Sequence, residues 1–130
     1  MSVAVVRDGK VAWESAYGVL RAGEPEAVTS ATIFQAASLT KPVFAYAVMK
    51  LVESGKLDLD APLSKWLPDY MPKDDPSLKI TARQVLSHST GLPNWRRPGM
   101  DLKSHFAPGE RFSYSGEGYV YLSKVVEKIT

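Results

Sequence analysis

Cysteine is absent from this chain, so it can form neither a disulfide framework nor thiol chemistry. That absence fits the cytoplasm and the periplasm alike and leaves the compartment open. The only two histidines, with no cysteine beside them, argue against a zinc site, and neither a metal nor a cofactor is expected. No apolar run approaches the roughly 20 residues that span a bilayer. Charge of one sign is also lacking: 16 basic residues stand against 14 acidic ones, for a net charge of +2. The basic residues are scattered apart from Arg96-Arg97, which gives no footprint for nucleic acid. Met1-Ser2-Val3-Ala4 enters a strand pattern directly, with no signal-peptide pattern. Internal repeats and low-complexity segments are absent as well.

What remains is the composition of a globular protein, 45% hydrophobic and 23% charged over 130 residues, about one domain in length. Ser2–Val6 and Val11–Tyr17 are β-rich runs. The Asp8-Gly9 pair between them predicts a hairpin. Residues 21–30 read as loop. An amphipathic helix is predicted from Ser38 to about Ser54, largely buried and stopped by Gly55. Pro42 stands in its first turn, where the missing N–H costs least. Prolines 62, 68, 72 and 76 break the next stretch, with a short turn around Leu63–Leu67. Thr81 and Gln84 have capping-box spacing and open a second helix, read to about His88 and closed by Gly91. After a loop over residues 92–110, a third helix starts near Gly116, with Tyr119, Leu122, Val126 and Ile129 as its apolar stripe.

Ser38-Leu39-Thr40-Lys41 carries the most chemical information. A serine hydroxyl is a poor nucleophile unless a base lies beside it. A lysine three residues on along a helix shares its face. The S-x-x-K pattern alone is weak, but it heads an apolar helix rather than a solvated one. Tyr114, in Phe112-Ser113-Tyr114-Ser115-Gly116, stands at a loop-to-helix junction where a phenol can point into a cleft. A lone tyrosine there is ordinary packing. A serine, a lysine one turn on and such a tyrosine can form a proton-relay set.

The chain resembles the N-terminal part of the serine β-lactamase-related superfamily, which includes class C β-lactamases, DD-carboxypeptidases and family VIII carboxylesterases. The resemblance runs through the Val3–Lys10 hairpin, Phe34–Lys41, Gly55–Leu63, Ile80–His88, Gly91-Leu92-Pro93, Pro108-Gly109 and Tyr114-Ser115-Gly116. It implies an α+β fold: an N-terminal β-hairpin over residues 2–17 and a mainly helical region over 32–130, with further sheet strands outside this chain. It implies Ser38 as acylated nucleophile, Lys41 as general base and Tyr114 as proton shuttle. In model peptides Lys titrates near ~10.4 and Tyr near ~10, so one of them has to be lowered for this work.

Two departures from the family pattern matter. Gly116 stands where the second motif, Tyr-x-Asn, carries a carboxamide, so the substrate-binding position is held by a residue without a side chain. That favours an ester over a β-lactam or peptide. The third motif, Lys-Thr-Gly or His-x-Gly, does not occur after Tyr114, and Ser89-Thr90-Gly91 lies too early to be it. The chain therefore reads as an incomplete copy of the domain.

The expected function is a serine hydrolase acting through an acyl-enzyme on a small-molecule ester or amide, esterase first. A non-catalytic relative that binds a ligand or partner in the same cleft is the alternative, and a third reading is that this chain, as a truncated piece, is itself inactive. Oligomeric state stays open. His88 reads as a capping or packing residue and His105 has no assigned role. Asp58, Asp60, Asp69, Asp74 and Asp75 match no calcium loop and read as solvated turns. Trp95, Arg96 and Arg97 fit a cleft mouth as well as a core cover, whereas Trp13 and Trp66 are read as core.

Overall fold

A computed structural model describes residues 1–130 except Asp74 and Met100. It divides the chain into two compact units, Met1–Ala37 and Ser38–Thr130.

The first unit is built on an antiparallel hairpin, β1 (Ser2–Arg7) and β2 (Lys10–Ala16). Asp8 and Gly9 both have positive φ, 50° and 72°, as the tight turn that matches the strands' twist requires. A register shift between Val5 and Val6 marks a bulge. The sheet has two strands, and its outer edges are unpaired among the described residues. Val5, Val6, Val11 and Trp13 are exposed, Trp13 by 48%, so Trp13 is not the core residue its size suggested. A two-stranded ribbon has no second layer of its own to bury it. After the hairpin, Val19 and Ala27 form an isolated bridge.

The second unit holds the core. A 3₁₀ turn, Ala37–Leu39, bridges the junction and leads into helix α1 (Thr40–Glu53). Gly55, with φ 71°, follows the C-cap Ser54 and closes the helix as expected. Helix α1 is less buried than its composition suggests. Val48 is fully buried, and Phe44, Leu51 and Val52 pack beside it. Val43 and Tyr46 on the other side are about 70% exposed. The helix is apolar around much of its circumference, and one face alone meets the core.

Helix α2 (Ala82–Leu86) opens with the anticipated capping box. Thr81 Oγ1 accepts from the Gln84 N–H, and Gln84 Oε1 accepts from the Thr81 N–H. The helix ends two residues short of His88, which turns the chain away in the left-handed region at φ 53°. That turn takes the place assigned to Gly91. Helix α3 (Gly116–Ile129) starts from an N-cap, Ser115, whose Oγ accepts from the Gly118 N–H at 2.9 Å. Its fully buried face is Tyr121, Leu122 and Val125; Tyr119, Val126 and Ile129 are half-buried. The stripe is thus rotated toward Tyr121 and Val125, because the apolar arc is wider than a single i, i+3, i+4 row. Leu63 and Ile80 join these residues in the core. Tyr70 stacks on Tyr121 with ring centroids 4.3 Å apart. Trp66 packs partly buried against this core.

Candidate active site

Ser38 lies in the 3₁₀ turn and Lys41 in the first turn of α1. Residues three apart where this turn runs into the helix lie on one face. Lys41 Nζ accordingly donates to Ser38 Oγ at 3.1 Å. Ala37, just before Ser38, has φ 43°, a left-handed conformation that a residue with a Cβ rarely takes and that costs about 1–3 kcal/mol. It presents the serine at a sharp bend ahead of the helix.

The third residue arrives through tertiary folding. Tyr114, 76 residues after Ser38, places its hydroxyl 2.9 Å from Ser38 Oγ, as donor to it. Lys41 Nζ lies 5.1 Å from the centroid of the Tyr114 ring and 5.3 Å from that of Tyr119. Ser38 is exposed, Lys41 half-buried and Tyr114 40% exposed, so the three border open solvent. Hydrogen bonding with Lys41, and then with Ser38, holds the Tyr114 phenol below its ordinary value of 10. Burial, and next the charge of Tyr114, raises Tyr119.

Gly116 is buried at the start of α3 and offers only backbone; its N–H donates to Asn94 Oδ1 at 3.0 Å. A Cβ there would meet Asn94 O at 2.5 Å, Asn94 Oδ1 at 3.1 Å and Trp95 Cζ3 at 3.3 Å. The loop over 93–96 is latched to the start of α3. Ser115 Oγ donates to Pro93 O, the Glu117 N–H to Asn94 O, and the Arg96 N–H to Glu117 Oε1. The Arg96 guanidinium pairs with the same carboxylate at 3.4 Å. Trp95 is 66% exposed on this latch and so does not cover the core. A cavity of about 740 Å³ adjoins the latch, lined by Trp95, Arg97, Lys103 and His105 among others. None of Ser38, Lys41 and Tyr114 lines it.

His88 is the residue that sequence reasoning left as packing. Its imidazole stacks on the Tyr114 ring, with centroids 4.3 Å apart. Its Nδ1 accepts from the Ser115 N–H at 3.1 Å. The available signal was its place just past a helix end, beside Ser-Thr-Gly, which is also an ordinary cap. The aspartates occupy turns: Asp58 Oδ1 accepts from the Asp60 N–H, Asp60 pairs with Arg83, and Asp75 caps a short 3₁₀ turn. Asp74 lies outside the described residues. Among the described residues no cluster of three or more His, Asp or Glu could hold a metal ion. No helix described is long and apolar enough to cross a membrane.

Lys41 Nζ and Tyr114 Oη thus both meet Ser38 Oγ within the second unit. The Beta-lactamase family model matches residues 1–130, and the chain belongs to that family. Esterase EstB of Burkholderia gladioli is 39% identical over 99 residues, covering 73% of this chain and 25% of that protein. Penicillin-binding protein 4* of Bacillus subtilis (strain 168) is 27% identical, covering 98% of this chain and 32% of that protein. The octameric penicillin-binding protein homologue from Pyrococcus abyssi superposes with a TM-score of 0.82 at 30% identity, over 98% of this chain and 34% of that one. The chain thus spans about a third or less of the length of these relatives.

Proposed function

We propose that this chain carries the nucleophilic half of a serine hydrolase that works through an acyl-enzyme, with an ester as its first substrate class. The observation behind the proposal is the convergence of Lys41 Nζ and Tyr114 Oη on Ser38 Oγ at 3.1 and 2.9 Å. For the attack Lys41 must first give up a proton; its Nζ then takes the Ser38 proton while Oγ bonds to the substrate carbonyl carbon. The carbonyl oxygen becomes an oxyanion. The Ser38 backbone N–H, in the 3₁₀ turn ahead of α1, is the candidate donor to it. The bond to the leaving alkoxide then breaks, and Tyr114 gives that oxygen its proton. Lys41 returns the proton to Tyr114, which leaves Ser38 acylated and both bases reset. In the second half water attacks the acyl carbon and gives its proton to Lys41; the bond from that carbon to Oγ then breaks, the acid leaves, and the proton passes back to Ser38 Oγ. The direction of the Tyr114 shift, below the ordinary phenol value through its hydrogen bonds with Lys41 and Ser38, favours release of its proton.

Gly116 takes part through what it lacks. Its missing side chain leaves the space that Asn94 and Trp95 fill, so no carboxamide projects from this position toward a substrate amide. Ester turnover is therefore placed ahead of β-lactam or peptide hydrolysis, and EstB, an esterase by name, is similar to this chain. Turnover of p-nitrophenyl acetate and butyrate tests the reading. Ser38→Ala and Lys41→Ala should abolish it, and Tyr114→Phe should slow it about 10²- to 10⁴-fold. Turnover undiminished in Ser38→Ala would overturn it, and binding of an ester without turnover would point to a non-catalytic relative.

A further inference from the structure

We infer that His88 is a positioning residue for Tyr114, gripping the backbone on both sides of it and supporting its ring so that the phenol meets Ser38. The inference rests on the hydrolase reading above. His88 O accepts from the Ser113 N–H at 2.8 Å, and His88 Nδ1 accepts from the Ser115 N–H at 3.1 Å. These two bonds straddle Tyr114 and restrict its backbone. Between them the imidazole lies nearly parallel to the phenol ring, at 26° and 4.3 Å between centroids. Phe112 closes on the same imidazole edge-on at 5.9 Å, and Tyr119 packs at 5.1 Å. The left-handed backbone at His88, φ 53°, turns the ring into this place.

Only an unprotonated Nδ1 can accept the Ser115 N–H, so the support requires the neutral imidazole with its proton on Nε2. Burial first, and the Lys41 charge second, hold His88 below its ordinary 6.5. The titratable groups facing it are Lys41 from α1, Tyr114 from the approach to α3 and Tyr119 from α3. Among the described residues no carboxylate forms an ion pair with it. His88 is thus placed to hold the relay residue rather than to carry its proton. Its own protonation would release Ser115 and set a second cation beside a phenol that Lys41 already flanks.

The test uses the full chain, ethyl butyrate as the probe that acylates Ser38 and whose leaving alkoxide needs the Tyr114 proton, the acyl-enzyme being read by mass after acid quench, and NMR of the Tyr114 phenol labelled at Cζ. His88→Asn keeps an acceptor and a side chain that tolerates the left-handed backbone but loses the ring. His88→Phe keeps a ring but loses the acceptor. Each should slow acylation about 10-fold and His88→Ala about 100-fold, the scale of a displaced catalytic group. Reversible binding of the probe should be unchanged, since His88 does not touch it. In His88→Ala the Tyr114 titration should rise toward its ordinary value of 10, as the phenol leaves Lys41 and Ser38. Folded His88→Asn and His88→Phe that acylate at the wild-type rate, with the Tyr114 titration unmoved, would overturn the inference. A wild-type chain that never labels at Ser38 defeats the hydrolase reading instead. The titration then decides the positioning role alone: a shift in the variants sustains it, and no shift overturns it.

Discussion

Replacing Gly116 with alanine sets two effects of opposite sign against each other. Gly116 opens α3 with ordinary helical φ, so propensity alone predicts that alanine stabilises by up to about 1 kcal/mol. Sterics predict the reverse. The new Cβ would stand 2.5 Å from the Asn94 carbonyl oxygen. The carbonyl would have to retreat by about 1 Å to reach an ordinary contact. That oxygen accepts the Glu117 N–H at 3.2 Å, and Asn94 Oδ1 accepts the Gly116 N–H at 3.0 Å. Losing both costs about 2 kcal/mol, and the overpacking adds about 1 kcal/mol or more. Net destabilisation should therefore be about 2–3 kcal/mol. Gly118→Ala is the control, because its Cβ would meet Ser115 and Thr90 at 3.3–3.4 Å, where small shifts suffice; its effect should stay within about 1 kcal/mol. Urea unfolding followed by far-UV circular dichroism measures both. Gly116→Ala as stable as wild type would refute the account of the 93–96 latch.

Three further outcomes follow from the second unit. Thr81→Ala removes the Oγ1 acceptor of the Gln84 N–H, leaves the backbone N–H of residue 81 bonded to Gln84 Oε1, and should cost about 1 kcal/mol, read in the same unfolding experiment. Tyr121→Phe should stabilise by about 1 kcal/mol, because the buried Tyr121 hydroxyl has no partner among the described residues and burial pushes its pKa up to about 12. His88, depressed in the folded state, binds its proton more readily when unfolded. Stability should be fully present above pH 6.5 and decline as pH falls from 6.5 through the folded value, and His88→Asn should flatten that limb.

Local chemistry made much of the fold legible. Asp8-Gly9 announced the hairpin turn, Thr81 and Gln84 announced their helix, and Gly55 its end, because each works through bonds within a few residues. Ser38 and Lys41 were readable as a pair for the same reason. Tyr114 was read from its place ahead of a helix and from the family resemblance, but its approach to Ser38 depends on tertiary folding. The contacts around Gly116 were not legible at all: Asn94 lies 22 residues away, and no local pattern says that its backbone carbonyl, with its carboxamide and Trp95 beside it, fills the space of a missing side chain. His88 was hidden by ambiguity, since a histidine after a helix end is equally a cap. The expected burial of α1 and Trp13 failed because apolar composition marks what can be buried, whereas contact decides which face is.

The central claim is that Ser38 is a nucleophile. Intact-mass analysis of the protein after treatment with a fluorophosphonate, followed by peptide mapping, tests it most directly. One adduct is predicted, on the peptide carrying Ser38, reduced in Lys41→Ala and absent from Ser38→Ala. No adduct on wild-type protein whose fold is shown intact by circular dichroism, or an adduct that persists in Ser38→Ala, would contradict the account.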